Sequence, residues 1–179
     1  HDKVLVVGSG IIAQLIGGLA KRAGASCLAM SKVDERQTGK AWEIGDFDVY
    51  FDGNDPNRAV KMQAVSEGGF DVVFEVVGAG ESLAACLDGV KPSGEIVMIG
   101  NSMTPAVSFE LNRAVLHEVR LTGSVSCTRK EFEETIDLIA NGFIDVEKYV
   151  TDILPLEQLQ HAFEKQISPA ESVLKTVIR

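Results

Sequence analysis

Long apolar runs are missing from this 179-residue sequence. None approaches the roughly 18 residues of a membrane span, which excludes a spanning helix. Positive charge is also short. Lys and Arg number 17 against 26 Asp and Glu, a net charge of −9, so the basic footprint that a nucleic-acid partner requires is absent. An anionic ligand must then be held by backbone dipoles and a few placed cations. Cysteine is sparse and odd in number: Cys27, Cys86 and Cys127 are far apart in apolar surroundings. They read as buried free thiols of a protein in a reducing cytoplasm, not as a disulfide framework or a metal site. No nucleophile pairs with His117 or His161, which lie in helical patterns and read as surface or core histidines. No triad and no zinc-ligand spacing is found, so neither catalytic nor metal-binding residues are expected within the chain. No secretory signal precedes the first strand. The sequence opens on His1 and reaches a core strand within two residues, the pattern expected of a fragment or excised domain carrying a tag remnant.

What is present is a globular composition, 45% hydrophobic and 24% charged, long enough to bury about 70% of its unfolded surface. Its organising stretch is Val4-Leu-Val-Val-Gly8-Ser-Gly10-Ile-Ile-Ala13. An unbroken Val/Leu run is how a parallel strand covered on both faces appears, and here it runs straight into a glycine-rich turn and a helical pattern. Gly8 supplies the tight turn, and Gly10 lets the main chain approach a pyrophosphate lying on the N–H groups of the next helix. Ala13 stands where a third glycine is usual, a position that need only allow close helix-to-strand packing.

Strands and helices then alternate. A helix over Ile11 to Ala23 stops at Gly24, with Gly17-Gly18 read as close packing on the sheet. Further strands are expected at Ser26 to Met30, Asp48 to Phe51, Asp71 to Val77, Glu95 to Ile99 and Arg120 to Ser124. Helices are expected over Asp34 to Glu43, from Asp55-Pro56, after Gly78 with Leu83, Leu87 and Val90 on one stripe, and over Asn112 to His117. Lys91 to Gly94 reads as a turn and Val107 to Phe109 as a short extended piece. Thr128-Arg-Lys-Glu131 is a capping box opening a helix with Phe132, Ile136, Ile139 and Ala140 on one face. The prediction is a doubly wound α/β fold whose six-stranded parallel sheet has order 3-2-1-4-5-6. Its ligand crevice lies beyond the carboxyl ends of the first and fourth strands, and Gly8, Gly78 and Gly100 all fall at such ends. The domain is placed at 1–145. A tail over 146–179 holds an extended piece at Tyr149 to Leu154, a helix from Pro155 with Leu156, Leu159 and Phe163 inward, and a strand over Ser172 to Ile178.

Several stretches carry a resemblance: Val6-Val7-Gly8-Ser-Gly10, Asp71-Val-Val-Phe-Glu75-Val-Val-Gly78, Gly94-Glu-Ile-Val-Met-Ile-Gly100, Leu121-Thr-Gly-Ser124 and Leu154-Pro-Leu-Glu-Gln-Leu-Gln-His-Ala-Phe163. In order and spacing they resemble the C-terminal half of medium-chain zinc-type alcohol and polyol dehydrogenases, closest to the sorbitol, threonine and butanediol dehydrogenase branch. The match covers essentially the whole chain. It implies a Rossmann domain that binds a nicotinamide cofactor, while an upstream domain, not seen here, supplies the catalytic zinc and its ligands. The 146–179 tail would rejoin that domain. By the same resemblance the pyrophosphate lies over Gly8 to Ala13, with Ile11 and Ile12 N–H groups as donors. Val77, Gly78, Ile99, Gly100 and Ser124 line the nicotinamide side, and Lys175 matches a cation on the pyrophosphate. Glu75 reads as a supporting or capping carboxylate. A homodimer joined edge to edge through the sixth strand and Val107 to Phe109, or a homotetramer of such dimers, is implied. Two other readings stay open: a zinc-free quinone or enoyl reductase of the same superfamily, and a non-enzymatic or methyltransferase-like nucleotide-binding domain.

An NAD site carries an acid about 20 residues past the glycine turn. The residue there is Ser31, followed by Lys32, with Arg36 one helical turn on. A serine with two nearby cations suits a 2′-phosphate, so NADP is expected over NAD, with Asp34 and Glu35 opposing.

Overall fold

Val4, Leu5, Val6 and Val7 are all buried in a strand, β1 (Lys3–Val7), that lies third in a six-stranded sheet. The computed structural model that shows this describes residues 1–32, 44, 46–168 and 173–179, with the Lys32 side chain excepted. The helix expected over residues 34–43 therefore lies outside the described residues, as does Arg36. The described residues form two compact units. One takes in those of His1–Val33 and Asp46–Val125, the other those of Asp34–Gly45 and Ser126–Arg179.

In the first unit, β2 (Cys27–Lys32), β3 (Val49–Asp52), β4 (Phe70–Glu75), β5 (Val90–Met98) and β6 (Arg120–Gly123) join β1. All neighbouring pairs are parallel, in the order β3-β2-β1-β4-β5-β6. This is the expected doubly wound sheet. The helices are α1 (Ile11–Arg22), α2 (Arg58–Ser66), α3 (Gly80–Gly89) and α4 (Leu111–Leu116). Leu5, Val73 and Ile96 of the sheet are fully buried; Leu83 and Leu87 of α3 are buried as expected, whereas Val90, expected on the same helical stripe, opens β5 and is buried there. Asp88, near the carboxyl end of α3 where negative charge opposes the helix dipole, accepts Arg58 Nε at 3.2 Å and Arg113 Nη1 at 2.8 Å. These two cations offset that repulsion and tie α2 and α4 to α3.

Local reading failed where a side chain redirected the backbone. Asp55 Oδ1 accepts the Asn57 N–H at 2.8 Å, a turn that holds Pro56 outside the helix, so α2 begins at Arg58. β4 ends at Glu75 and not at Val77. Lys91 to Gly94 are counted within β5, yet they loop out opposite Asp71 alone, because Phe70 pairs with Val90 and Val72 with Glu95. The turn was legible; its inclusion in a strand was not. Val107 to Phe109 form no strand. Gly17 packs against the Phe47 ring: a Cβ there would lie 2.3 Å from Phe47 Cζ.

The second unit contains α5 (Arg129–Ala140), β7 (Asp152–Leu154), α6 (Leu159–Ile167) and β8 (Thr176–Ile178). The capping box is made as expected: Thr128 N–H meets Glu131 Oε2 at 2.6 Å and Glu131 N–H meets Thr128 Oγ1 at 3.3 Å. Strands β7 and β8 pair in parallel. Two 3₁₀ turns, Glu147–Tyr149 and Leu156–Gln158, replace the start of the expected extended piece and of the expected helix. Leu156, Leu159 and Phe163 are exposed, against expectation, and Ala162 is the residue that α6 buries. Cys86 is buried and Cys27 half-buried, but Cys127 is exposed.

Candidate functional site

The chain runs β1, β2, β3 toward one edge of the sheet and β4, β5, β6 toward the other, so the loops leaving β1 and β4 part company at their carboxyl ends. Such a switch point is where an open α/β sheet leaves a crevice. Two helix N-termini open onto it, and they differ sharply.

At α1, Gly10 is the N-cap in extended geometry, no side chain caps the helix, and its first turn holds no acid. The first-turn N–H groups of Ile11, Ile12 and Ala13 have no intrahelical carbonyl to bond. A Cβ on Gly10 would meet nothing within 4 Å, so the backbone there faces open space. Gly8 makes this possible from behind. At φ +133° its Cβ would lie 2.5 Å from Val76 Cγ2, and its N–H donates to the Ser31 carbonyl at 2.8 Å. This position thus requires glycine for both conformation and space, and it pins the turn to β2.

At α3 the residues just before the helix, and not its own first turn, are turned in on a carboxylate. Glu75 Oε1 accepts the Val77 and Gly78 N–H groups, each at 2.9 Å, and the Ser82 hydroxyl at 2.6 Å. Ser82 Oγ in turn accepts the Ala79 N–H at 3.1 Å, and Glu81 adds a negative charge in the first turn. Glu75 therefore caps the turn that leads into α3, and with Glu81 it sets negative charge against an anion there. Between the two helix ends, α1 is the one chemically free to hold a phosphate.

Beyond β4 and β5 the two loops lean on each other. A Cβ on Gly100 would come within 2.2 Å of Gly78 N, and one on Gly78 within 2.4 Å of the Asn101 carbonyl. Mutual packing thus accounts for both glycines, independently of any ligand. Val77 and Gly78 form one lip; Ile99 and Gly100, whose N–H groups donate to the Glu75 carbonyl at 2.8 and 3.1 Å, form the other. Ser124 follows β6, its N–H bonded to the Met98 carbonyl at 2.9 Å. Beside these lips opens a cavity of about 670 Å³. Its charged lining residues are Glu81 and Glu110, so it does not suit an anion.

Ser31 is buried in β2, in register with Val7 and Phe51. Lys32 is in register with Asp52, the exposed last residue of β3. That carboxylate beside Lys32 was missed in the sequence, because strand register is not visible there. Its Oδ1 accepts the Asn54 N–H at 2.9 Å. Lys175 is an exposed residue of the second unit, its carbonyl accepting the Thr151 N–H at 2.9 Å. The structure therefore brings Gly8 to Ala13, Ser31, Val77, Gly78, Ile99, Gly100 and Ser124 to the carboxyl edge of one sheet, and Lys175 belongs to a different unit.

Among the described residues no activated nucleophile emerges. Burial, with Glu75 and Asp88 adding to it, pushes the Cys86 thiol well above its ordinary value, and burial with Asp48 raises that of Cys27 despite the opposing charge of Lys3. Among the described residues no group of three or more His, Cys, Asp or Glu side chains is placed to hold a metal ion, and no helix is long and apolar enough to cross a membrane.

A family profile described as zinc-binding dehydrogenase matches residues 12–141. The (R,R)-butanediol dehydrogenase of Neisseria gonorrhoeae is 26% identical, over 99% of this chain and 50% of that protein. L-arabinitol 4-dehydrogenase of Hypocrea jecorina is 30% identical, over 99% of this chain and 48% of that protein. The crystal structure of 2R,3R-butanediol dehydrogenase from Bacillus subtilis is similar with a TM-score of 0.88 at 25% identity, covering 99% of this chain and 50% of that one. The chain thus spans about half the length of the curated relatives it matches.

Proposed function

We propose, given that this chain belongs to the zinc-binding dehydrogenase family, that it is the cofactor-binding half of a zinc-dependent alcohol or polyol dehydrogenase. The observation that carries this reading is the contrast between the two helix ends: α1 is acid-free and open above Gly10, while α3 has Glu81 in its first turn and follows a turn held by the Glu75 carboxylate. A nicotinamide dinucleotide then lies across the carboxyl edge of the sheet. The N–H groups of Ile11 and Ile12 hold its pyrophosphate, with Ala13 allowing the close helix packing. Val77, Gly78, Ile99, Gly100 and Ser124 surround the nicotinamide end. When bound, the cofactor accepts hydride from, or donates it to, a substrate carbon. Zinc and its ligands belong to residues outside this chain, which acts by holding and orienting the cofactor and is inactive alone. Residues 146–179 return to that other half. The names of the relatives point to vicinal diols and sugar alcohols as the substrate class.

At the adenosine end, Ser31 places no carboxylate against a 2′-phosphate, and Lys32 and Arg36 attract one, whereas Asp52 opposes it. On balance the preference goes to NADP over NAD. A homodimer, or a tetramer of dimers, forms through the β6 edge, and three free thiols fit a cytoplasmic compartment.

Titration of this chain with NADPH and NADH, followed by cofactor fluorescence or calorimetry, tests the reading. NADPH is expected to bind more tightly, and Ser31→Asp to reverse the order. Binding of neither dinucleotide would sink the cofactor assignment; equal affinities unchanged in Ser31→Asp would remove Ser31 and Lys32 from the 2′ position. Elemental analysis should find no stoichiometric zinc, and a mole of zinc per chain would contradict its assignment to the other half.

A further inference from the structure

Glu75 is 2% exposed, and its charge has so far been used only to set α3 apart from α1. Its two ends hold two different loops. The side chain takes the N–H groups of Val77 and Gly78 on Oε1, and the main-chain carbonyl takes those of Ile99 and Gly100. These four residues are the two lips on the β4 and β5 side of the crevice. We infer that Glu75 is a positioning residue for the nicotinamide ring: a single side chain and its own carbonyl fix the lip after β4 against the lip after β5. This rests on the cofactor reading given above.

Any residue at position 75 supplies the main-chain carbonyl, so the information lies in the carboxylate. The strand ends there, and the turn leaving it is half exposed, with Val77 51% accessible. Left to water, the Val77 and Gly78 N–H groups would sample several orientations. A buried anionic acceptor gives them one, because a charge-assisted bond is stronger than the solvent bond it replaces. Ser82 closes the arrangement from α3, giving Oε1 a third donor. The two lips pack backbone to backbone, with no room for a Cβ on Gly100 or Gly78. The adenosine half of the ligand lies over α1 and β2, held by bonds in which Glu75 takes no part. Loss of the carboxylate should accordingly be felt by the nicotinamide ring alone.

The test compares a dinucleotide with the same molecule lacking nicotinamide: NADPH with 2′-phospho-ADP-ribose, or NADH with ADP-ribose, whichever dinucleotide the unmodified chain binds. In Glu75→Ala the dissociation constant of the dinucleotide should rise about tenfold, the equivalent of one charge-assisted hydrogen bond, with that of the truncated ligand within about twofold of wild type. Glu75→Gln keeps an acceptor oxygen and should retain dinucleotide affinity within about threefold. If Glu75→Ala does not fold, Ser82→Ala, which removes one donor and leaves the carboxylate in place, should show the same selective loss at about threefold. The inference is overturned if the ratio of the two affinities is unchanged in whichever of these two variants folds, if both ligands weaken together, or if the glutamine variant is as defective as the alanine one. Failure of the unmodified chain to bind any dinucleotide is a separate result, which removes the cofactor assignment itself and this inference with it.

Discussion

A methyl group added at Gly10 meets no atom within 4 Å, whereas one added at Gly17 lands 2.3 Å from the Phe47 ring. Both residues are glycines of the same strand-turn-helix stretch, and they make opposite predictions. Gly10→Ala, at an ordinary φ of −71°, should leave the thermal midpoint unchanged and weaken dinucleotide binding by about tenfold or more, because the methyl enters the space assigned to the pyrophosphate. Calorimetric titration beside a melting curve separates the two effects, and undiminished binding would mean that the ligand lies elsewhere. Gly17→Ala should do the reverse. Alanine gains about 1 kcal/mol of helix propensity, but overpacking against a buried ring costs about 1–3 kcal/mol. A net loss in urea denaturation is expected, relieved by Phe47→Leu in the double variant. The sequence showed that glycines were concentrated here, since the spacing of Gly8 and Gly10 is a local property. It did not show that Gly17 answers to Phe47, because that contact spans 30 positions of chain.

At the scale of elements, the lower end of the sheet is held by Asp71. Its Oδ2 accepts the Lys3 N–H at 2.7 Å and its Oδ1 takes the Lys91 ammonium, so one side chain of β4 ties the start of β1 to the bulge in β5. Burial pushes this carboxyl up, but the bonds from Lys91 and Lys3 outweigh it and leave Asp71 below its ordinary value. A depressed folded-state value means that the stabilisation is present above the unfolded-state value and is lost as pH falls through the folded one. Asp71→Asn should therefore destabilise the chain at neutral pH and flatten the acid side of its stability profile. Urea midpoints measured down through the carboxylate range would check this, and parallel profiles for the two proteins would rule Asp71 out as a contributor. The strands themselves were legible, because Val4 to Val7 and Asp71 to Val77 are β-branched runs that read the same in any context. Their ends were not. Whether β4 stops at Glu75 or Val77 depends on a carboxylate folding back onto its own turn, and where α2 starts depends on Asp55 closing a turn first. The candidate site was legible to the same degree: its glycine-rich turn is a local motif, while the register of Asp52 with Lys32 comes only from the pairing of β2 with β3.

At the scale of the whole molecule, the sheet order leaves β6 at an edge, with all four of its residues exposed. Leu121 on that edge is 40% accessible, and Leu111, Val115 and Leu116 of the preceding helix are more so. An unpaired, partly apolar edge is a template for pairing unless it is covered or charged, and among these four edge residues Arg120 alone carries charge. The proposed dimer covers it with the same edge of a second copy, which a two-fold axis permits. Each chain carries a net charge of −9, so association works against long-range repulsion that added salt screens. Light scattering at high micromolar concentration should accordingly give a multiple of 19.2 kDa, with association strengthened and not weakened between low and physiological salt. Leu121→Lys puts a cation on the edge and should return the mass to that of one chain while leaving the melting temperature of the fold near its original value. A mass of one chain for the unmodified protein throughout this range, or a Leu121→Lys variant that associates as before, would place the edge outside any interface.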